Sequence, residues 1–189
     1  MKRINKSVKV VFAALSALIL LAGCSMMSNN ASKYSSTDLM FAEMMIPHHE
    51  QAIKMSDLAM EISENPDIVA LARRIKAEQA PEIEQMKIWG DNGDPGHMGH
   101  DMMDDWDEAG NGMMGMLDEG EMSELSQATG VEFDRLFLKG MIAHHEGAID
   151  MASMIDDSKN DEVRALGKSI IATQKAEIEE MKTLLASIS

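Results

Sequence analysis

Two stretches decide the fold: MMIPHHEQAIKM at residues 44–55 and GMIAHHEGAIDM at residues 140–151. Each holds an adjacent His pair and then a Glu, with Ala four residues and Met seven residues past the first His. Four of the six histidines lie here, and the other two, His97 and His100, fall between the copies.

Working outward, the first copy belongs to a longer apolar stripe. Phe41, Met44, Met45, His48, Ala52, Met55, Leu58, Ala59 and Ile62 recur at three- and four-residue steps, the period of a helix facing a core. Pro47 falls inside that helix, where it should bend the path beside the His pair. Ser36 or Thr37 is the expected cap, with Asp38 in the first turn. Asn65-Pro66 reads as cap and first residue of a second helix running to about Trp89. The second copy repeats the pattern. Thr129 and Glu132 have the spacing of a capping box, and Asn160 caps a fourth helix. Glu121 to Ala128 fits a short helix before them.

The duplication extends past the His pairs. Gln79-x-x-Glu82-Ile83-x-x-Met86 matches Gln174-x-x-Glu177-Ile178-x-x-Met181. The offset is 96 residues at the His pairs and 95 at the Gln runs, so one residue is missing from the second hairpin turn. Two helical hairpins from one duplicated unit imply an all-α protein, a four-helix bundle with a pseudo-twofold axis. The expected hairpins span 37–90 and 129–189. Residues 91–128 form a long Met/His/Asp-rich connection.

Residues 1–23 are expected to lie outside the fold. Lys2, Arg3, Lys6 and Lys9 precede an apolar run at 10–21, too short for a comfortable membrane span, which reads as a signal peptide. Leu21-Ala22-Gly23-Cys24 looks like a lipobox, which implies cleavage before Cys24 and its lipidation. An uncleaved anchor helix is the alternative. Either places the body outside the cytoplasm and tethered to a membrane, with residues 24–36 as a small, polar spacer. Removing the four basic residues of 1–23 takes the net charge from −15 to −19. Such a body repels nucleic acid and draws cations.

Cys24 is the only cysteine, so a lipidated chain has no thiol for metal or disulfide. Twenty methionines stand against four Phe, two Trp and one Tyr, which is more Met than core packing needs. Adjacent histidines on a helix point about 100° apart, so one of each pair faces the axis and the other the flank. His48 shares a side with Met44 and Met55, and His144 with Met151. His49 lies one turn from Met45, and His145 one turn from Met141. Gln79, Glu82 and Met86 share a face of the partner helix, as do Gln174, Glu177 and Met181. Polar Gln and Glu in an apolar stripe need partners, and an imidazole nitrogen is a suitable one. Imidazole plus thioether without thiolate favours copper, Cu(I) through Met and Cu(II) through His, with silver as a mimic. The connection adds His97, Met98, His100, Met102 and Met103 as a second candidate ligand group. No Glu-x-x-His occurs, which argues against a di-iron carboxylate site.

At these motifs the chain resembles the bacterial domain-of-unknown-function family numbered 305. The matching runs are residues 44–56, residues 132–152 and the two Gln-x-x-Glu-Ile-x-x-Met segments. The resemblance implies an exported, ferritin-like helical fold linked with copper handling. It also implies a ligand role for Met44, Met45, His48, His49 and Met55, and for Met141, His144, His145 and Met151. Gly140 stands where the first copy has Met44, which weakens the second site. Three functions fit: a non-enzymatic copper-binding lipoprotein for tolerance, buffering or transfer, with an envelope copper-transport protein as a candidate partner; a metal-dependent redox enzyme such as a cuprous oxidase; and a structural or partner-binding envelope bundle.

Overall fold

A serine opens the first helix. The Ser35 hydroxyl accepts from the Asp38 amide at 3.1 Å, and the Asp38 carboxylate accepts from the Ser35 amide at 2.8 Å. This reciprocal box requires a cap three residues before Asp38, which places it ahead of the expected Ser36 or Thr37. The structure, a computed structural model, describes residues 33–91 and 113–188. Helix α1 spans Ser36–Ile62 and carries Pro47 without interruption. Helix α2 spans Pro66–Asp91, with Asn65 Oδ1 accepting from the Asp67 amide at 3.0 Å.

A single 3-10 turn at Met113–Gly115 leads to α3, Glu119–Gln127. That helix starts earlier than its apolar pattern suggests because Asp118 and Glu121 form a second capping box. Helix α4, Gly130–Ser153, lacks the box expected of Thr129 and Glu132. Gly130 enters at φ +57, in the left-handed region, and the Thr129 side chain makes no cap bond. Asn160 caps α5, Asp161–Ser187, by accepting from the Glu162 amide at 2.9 Å.

The expected all-α bundle of two hairpins is the fold. Helix α1 packs on α2 and α4 on α5, and the hairpins join along antiparallel α1 and α4. Helices α2 and α5 touch little. An exposed ion pair, Arg74 to Glu180, spans them, and such pairs contribute little.

Two apolar clusters fill the interior. One holds Ala52, Met55, Leu71, Ile75, Phe133, Phe137, Met141 and Met181; the other holds Phe41, Met45, Met86, Trp89, Met151, Leu166 and Ile170. All four histidines of the pairs lie on the helical turns between them and are completely buried.

The folded body takes in Lys33, Tyr34, Ser35 and Ser36, the last four residues of the stretch expected as spacer. Tyr34 is buried and stacks on Trp89 with ring centroids 5.6 Å apart. Trp89 Nε1 donates to Glu162 at 3.2 Å, and Lys33 pairs with the same carboxylate at 3.1 Å. An aromatic ring that finds a second one has reason to leave solvent.

Phe137 is fully buried where the two hairpins meet. Phe137→Ala should lower the urea-unfolding free energy by about 3–5 kcal/mol. A loss below about 1 kcal/mol would show that this cluster does not hold the hairpins together.

Candidate metal centre

The duplicated helices bring the His pairs to one level of the bundle. His48 and His144 meet across the α1–α4 seam with ring centroids 3.7 Å apart. Within each pair the rings lie 6.4 Å apart (His48–His49) and 6.3 Å apart (His144–His145), at 51° and 54°. The two copies have thus kept the same local geometry.

The flanking histidines are buried against carboxylates rather than left at a rim. His49 Nε2 lies 2.9 Å from Glu82 and His145 Nε2 lies 2.7 Å from Glu177. His48 Nε2 lies 3.1 Å from the Met114 carbonyl. A carboxylate or a carbonyl only accepts, so in each case Nε2 is the donor. The neutral tautomer of these three rings therefore carries its lone pair on Nδ1. Among the described residues, the Nδ1 atoms of His48, His49 and His145 are buried without a hydrogen-bond partner, and so are both ring nitrogens of His144. Gln79 Oε1, Gln174 Oε1 and Glu177 Oε1 are orphaned in the same belt. Buried unmade hydrogen bonds each cost about 1–3 kcal/mol, so this is an expensive place to leave incomplete.

Buried methionines lie on both sides of the belt. Met55, Met141 and Met181 belong to one apolar cluster, and Met45, Met86 and Met151 to the other. The duplication maps each triplet onto the other, and each triplet draws on both hairpins. Met44 is half-buried against the second cluster. Among the described residues no three His, Cys, Asp or Glu side chains are grouped to hold a metal ion. Imidazoles alone do not close a site here, and thioethers are the soft donors nearest in sequence. Cys24, His97, Met98, His100, Met102 and Met103 lie outside the described residues.

Within the connection, the described residues 114–117 lie against the belt. Besides the Met114 carbonyl on His48, Gln51 clamps Leu117 twice, donating to its carbonyl and accepting from its amide, each at 2.8 Å. Two glycines make the track. A Cβ on Gly147 would stand 1.5 Å from the Met114 carbonyl oxygen, and one on Gly140 would stand 3.1 Å from a Leu117 methyl. Sequence reasoning missed this contact. Its signal was the mismatch between the copies, Gln51 against Gly147 and Met44 against Gly140. Gly140, read from sequence as a missing thioether, serves to admit Leu117.

Burial pushes His48 down from 6.5 to about 3; the charge on His49 adds, the Met114 carbonyl opposes, and His145 adds. Burial first, and then the charges of His48, His145 and His49, hold His144 well below its ordinary value, with a hydrogen bond to the His48 backbone opposing. Both rings are neutral at pH 7, the state that binds metal.

The chain belongs to the family described as "Domain of unknown function (DUF305)", whose model matches residues 38–185. A DUF305 fragment from Deinococcus radiodurans is 30% identical, with a TM-score of 0.67 over 82% of this chain and 98% of its own. A putative secreted DUF305 protein from Streptomyces coelicolor is 27% identical, with a TM-score of 0.70 over 83% and 95%. CopM in its Cu(II)-bound form is 36% identical, with a TM-score of 0.65 over 79% and 96%. CopM has also been solved in Cu(I)-bound, silver-bound and apo forms. No curated protein sequence matches the chain.

Because the folded state resists protonating His48 and His144, it binds fewer protons than the unfolded chain below pH 6.5. The contribution of both rings is complete above pH 6.5 and is lost as pH falls below it, for His48 down to about 3. Each ring should cost up to roughly 1.4 kcal/mol per pH unit in that window. Urea midpoints of the metal-free protein should therefore drop between pH 7 and 4, and more steeply than those of a His48→Gln/His144→Gln variant. Equal slopes would mean that the rings titrate freely in the fold.

Proposed function

We propose that this DUF305 protein binds soft metal ions, copper as Cu(I) or Cu(II) and also silver, outside the cytoplasm. The observation that carries the reading is the set of five buried imidazole nitrogens with no partner, between two triplets of buried methionines. Borderline nitrogen and soft sulfur in one apolar enclosure suit copper and silver better than magnesium, calcium or manganese. The resemblance to CopM, at 36% identity with its Cu(II)-bound form, supports the same choice. Met44, Met45, His48, His49 and Met55, with Met141, His144, His145 and Met151, are the proposed ligand supply. Gln79, Glu82, Met86, Gln174, Glu177 and Met181 line and orient it from α2 and α5. Glu82 and Glu177 fix ring orientation by accepting from Nε2, as carboxylates behind metal-binding histidines do.

Residues 1–23 act as the export signal, and Cys24 is the point of lipid attachment. No helix among the described residues is long and apolar enough to cross a membrane. His97, Met98, His100, Met102 and Met103 supply further soft donors on the connection. The protein works by holding and releasing metal for tolerance, buffering or transfer to an envelope transport protein, with no chemical step of its own.

Equilibrium dialysis against Cu(I), Ag(I) and Zn(II) tests this reading. Copper and silver should be retained at micromolar concentration and zinc should not. A His48→Ala/His144→Ala variant that keeps its helical circular dichroism should lose at least tenfold in silver affinity. Unchanged affinity would remove the metal from the histidine belt. Oxidation of Cu(I) in air faster than in protein-free buffer would assign an enzyme in place of a carrier.

A further inference from the structure

The belt is pseudo-symmetric, but its two central histidines are not equivalent. His48 has Nε2 committed to the Met114 carbonyl at 3.1 Å, whereas His144 meets only the His48 backbone and has neither ring nitrogen in a hydrogen bond of ordinary geometry. The difference comes from one short segment, residues 114–117, that lies over one side of the seam.

Several observations show that this segment is built into its place. Met114 adopts φ 39 and ψ 62, a left-handed conformation that a residue with a Cβ rarely takes and that persists only where surroundings impose it. Gly115 follows at φ +83, and a Cβ there would stand 2.1 Å from the Ala143 carbonyl oxygen. Gln51 reads the Leu117 backbone as a partner strand would, taking its amide and its carbonyl together. Gly147 lets the Met114 carbonyl reach the α4 surface, and Gly140 lets in the Leu117 side chain. The repeat differs between its copies at these positions. The first copy carries the clamp and the second carries the track.

We propose that Gln51 is a positioning residue for the metal centre: through residues 114–117 it holds the Met114 carbonyl on His48, fixing the ring in the Nε2-protonated form with Nδ1 as its one available donor. This rests on the reading of the belt as a metal site and adds how that site is set. Without the segment, His48 loses the acceptor that holds its proton on Nε2, and both tautomers become open to it. With it, one imidazole of the facing pair is pre-oriented, so an incoming ion meets a fixed nitrogen on α1 and an adaptable one on α4. Pre-orientation of a ligand by a hydrogen bond at its far nitrogen strengthens metal binding by 10–100-fold in general.

The test uses the folded chain with imidazole 15N labelling. In the metal-free protein at pH 7, His48 should show a protonated Nε2 and an unprotonated Nδ1, and the Leu117 amide should be slow to exchange. Gly147→Ala should displace the segment while favouring the α4 helix, since alanine is the better helix former. Gln51→Leu should release it from the other side. In both variants Leu117 exchange should accelerate on the order of tenfold, and the His48 nitrogen shifts should move to those of mixed tautomers. Gln51→Glu keeps the acceptor for the Leu117 amide and should restore part of the effect. Silver affinity should fall about 10–100-fold in the two disruptive variants, with stoichiometry retained. Wild-type nitrogen shifts in both, or a freed Leu117 amide with the His48 tautomer unmoved, would overturn the positioning role. If the wild-type protein takes up no silver, the metal reading fails on its own, and the tautomer result still decides what Gln51 does.

Discussion

Four imidazole rings closed inside a helical bundle set the terms for everything around them. Each brings two nitrogens into a region with no solvent to satisfy them, and unpaired polar groups there are costly. Glu82 and Glu177 answer one nitrogen each on the outer rings, and the Met114 carbonyl answers one on His48. The nitrogens left over are concentrated where the two hairpins face each other. Apolar packing above and below supplies the stability that lets the belt remain incomplete. A soft cation is the simplest addition that turns orphaned lone pairs and buried thioethers into ligands.

Duplication explains why the rings meet at all. Antiparallel α1 and α4 carry the same motif in opposite directions, so a pseudo-twofold axis through the seam sets His48 against His144. The same operation gives each apolar cluster one methionine from α1, one from α4 and one from α2 or α5. Symmetry alone would make the two halves interchangeable. The connection prevents that, because one chain segment can lie over the seam only once. Gln51, Gly140 and Gly147 are where the two copies have diverged to accept it.

Much of this was legible in the sequence because it rests on period and repetition. The stripe through Phe41, Met45, His48, Ala52 and Met55 is buried as its spacing requires, and so is its counterpart through Phe137, Met141, Ala148 and Met151. The Gln-x-x-Glu runs announced polar side chains that need partners; Glu82 and Glu177 find them in imidazoles, while the Gln79 and Gln174 carbonyl oxygens are left without one. Local signals were less dependable where backbone geometry competes. Thr129 and Glu132 have the right spacing for a box, yet Gly130 turns the chain away from it, while Ser35 forms one that stripe analysis placed a residue or two late. The docking of Tyr34 on Trp89 and of residues 114–117 on α4 joins positions far apart in the chain. Neither has a periodic signature. For the second, the only trace was a pair of glycines where the first copy has side chains.

The most direct measurement is X-ray absorption at the copper edge of the Cu(I)-loaded protein, with and without His48 and His144 replaced. Mixed nitrogen and sulfur scattering, with the imidazole component lost in the variant, is the expected spectrum. A first shell of oxygen or nitrogen alone, or an imidazole signal that survives loss of both rings, would contradict a soft-metal centre at the histidine belt.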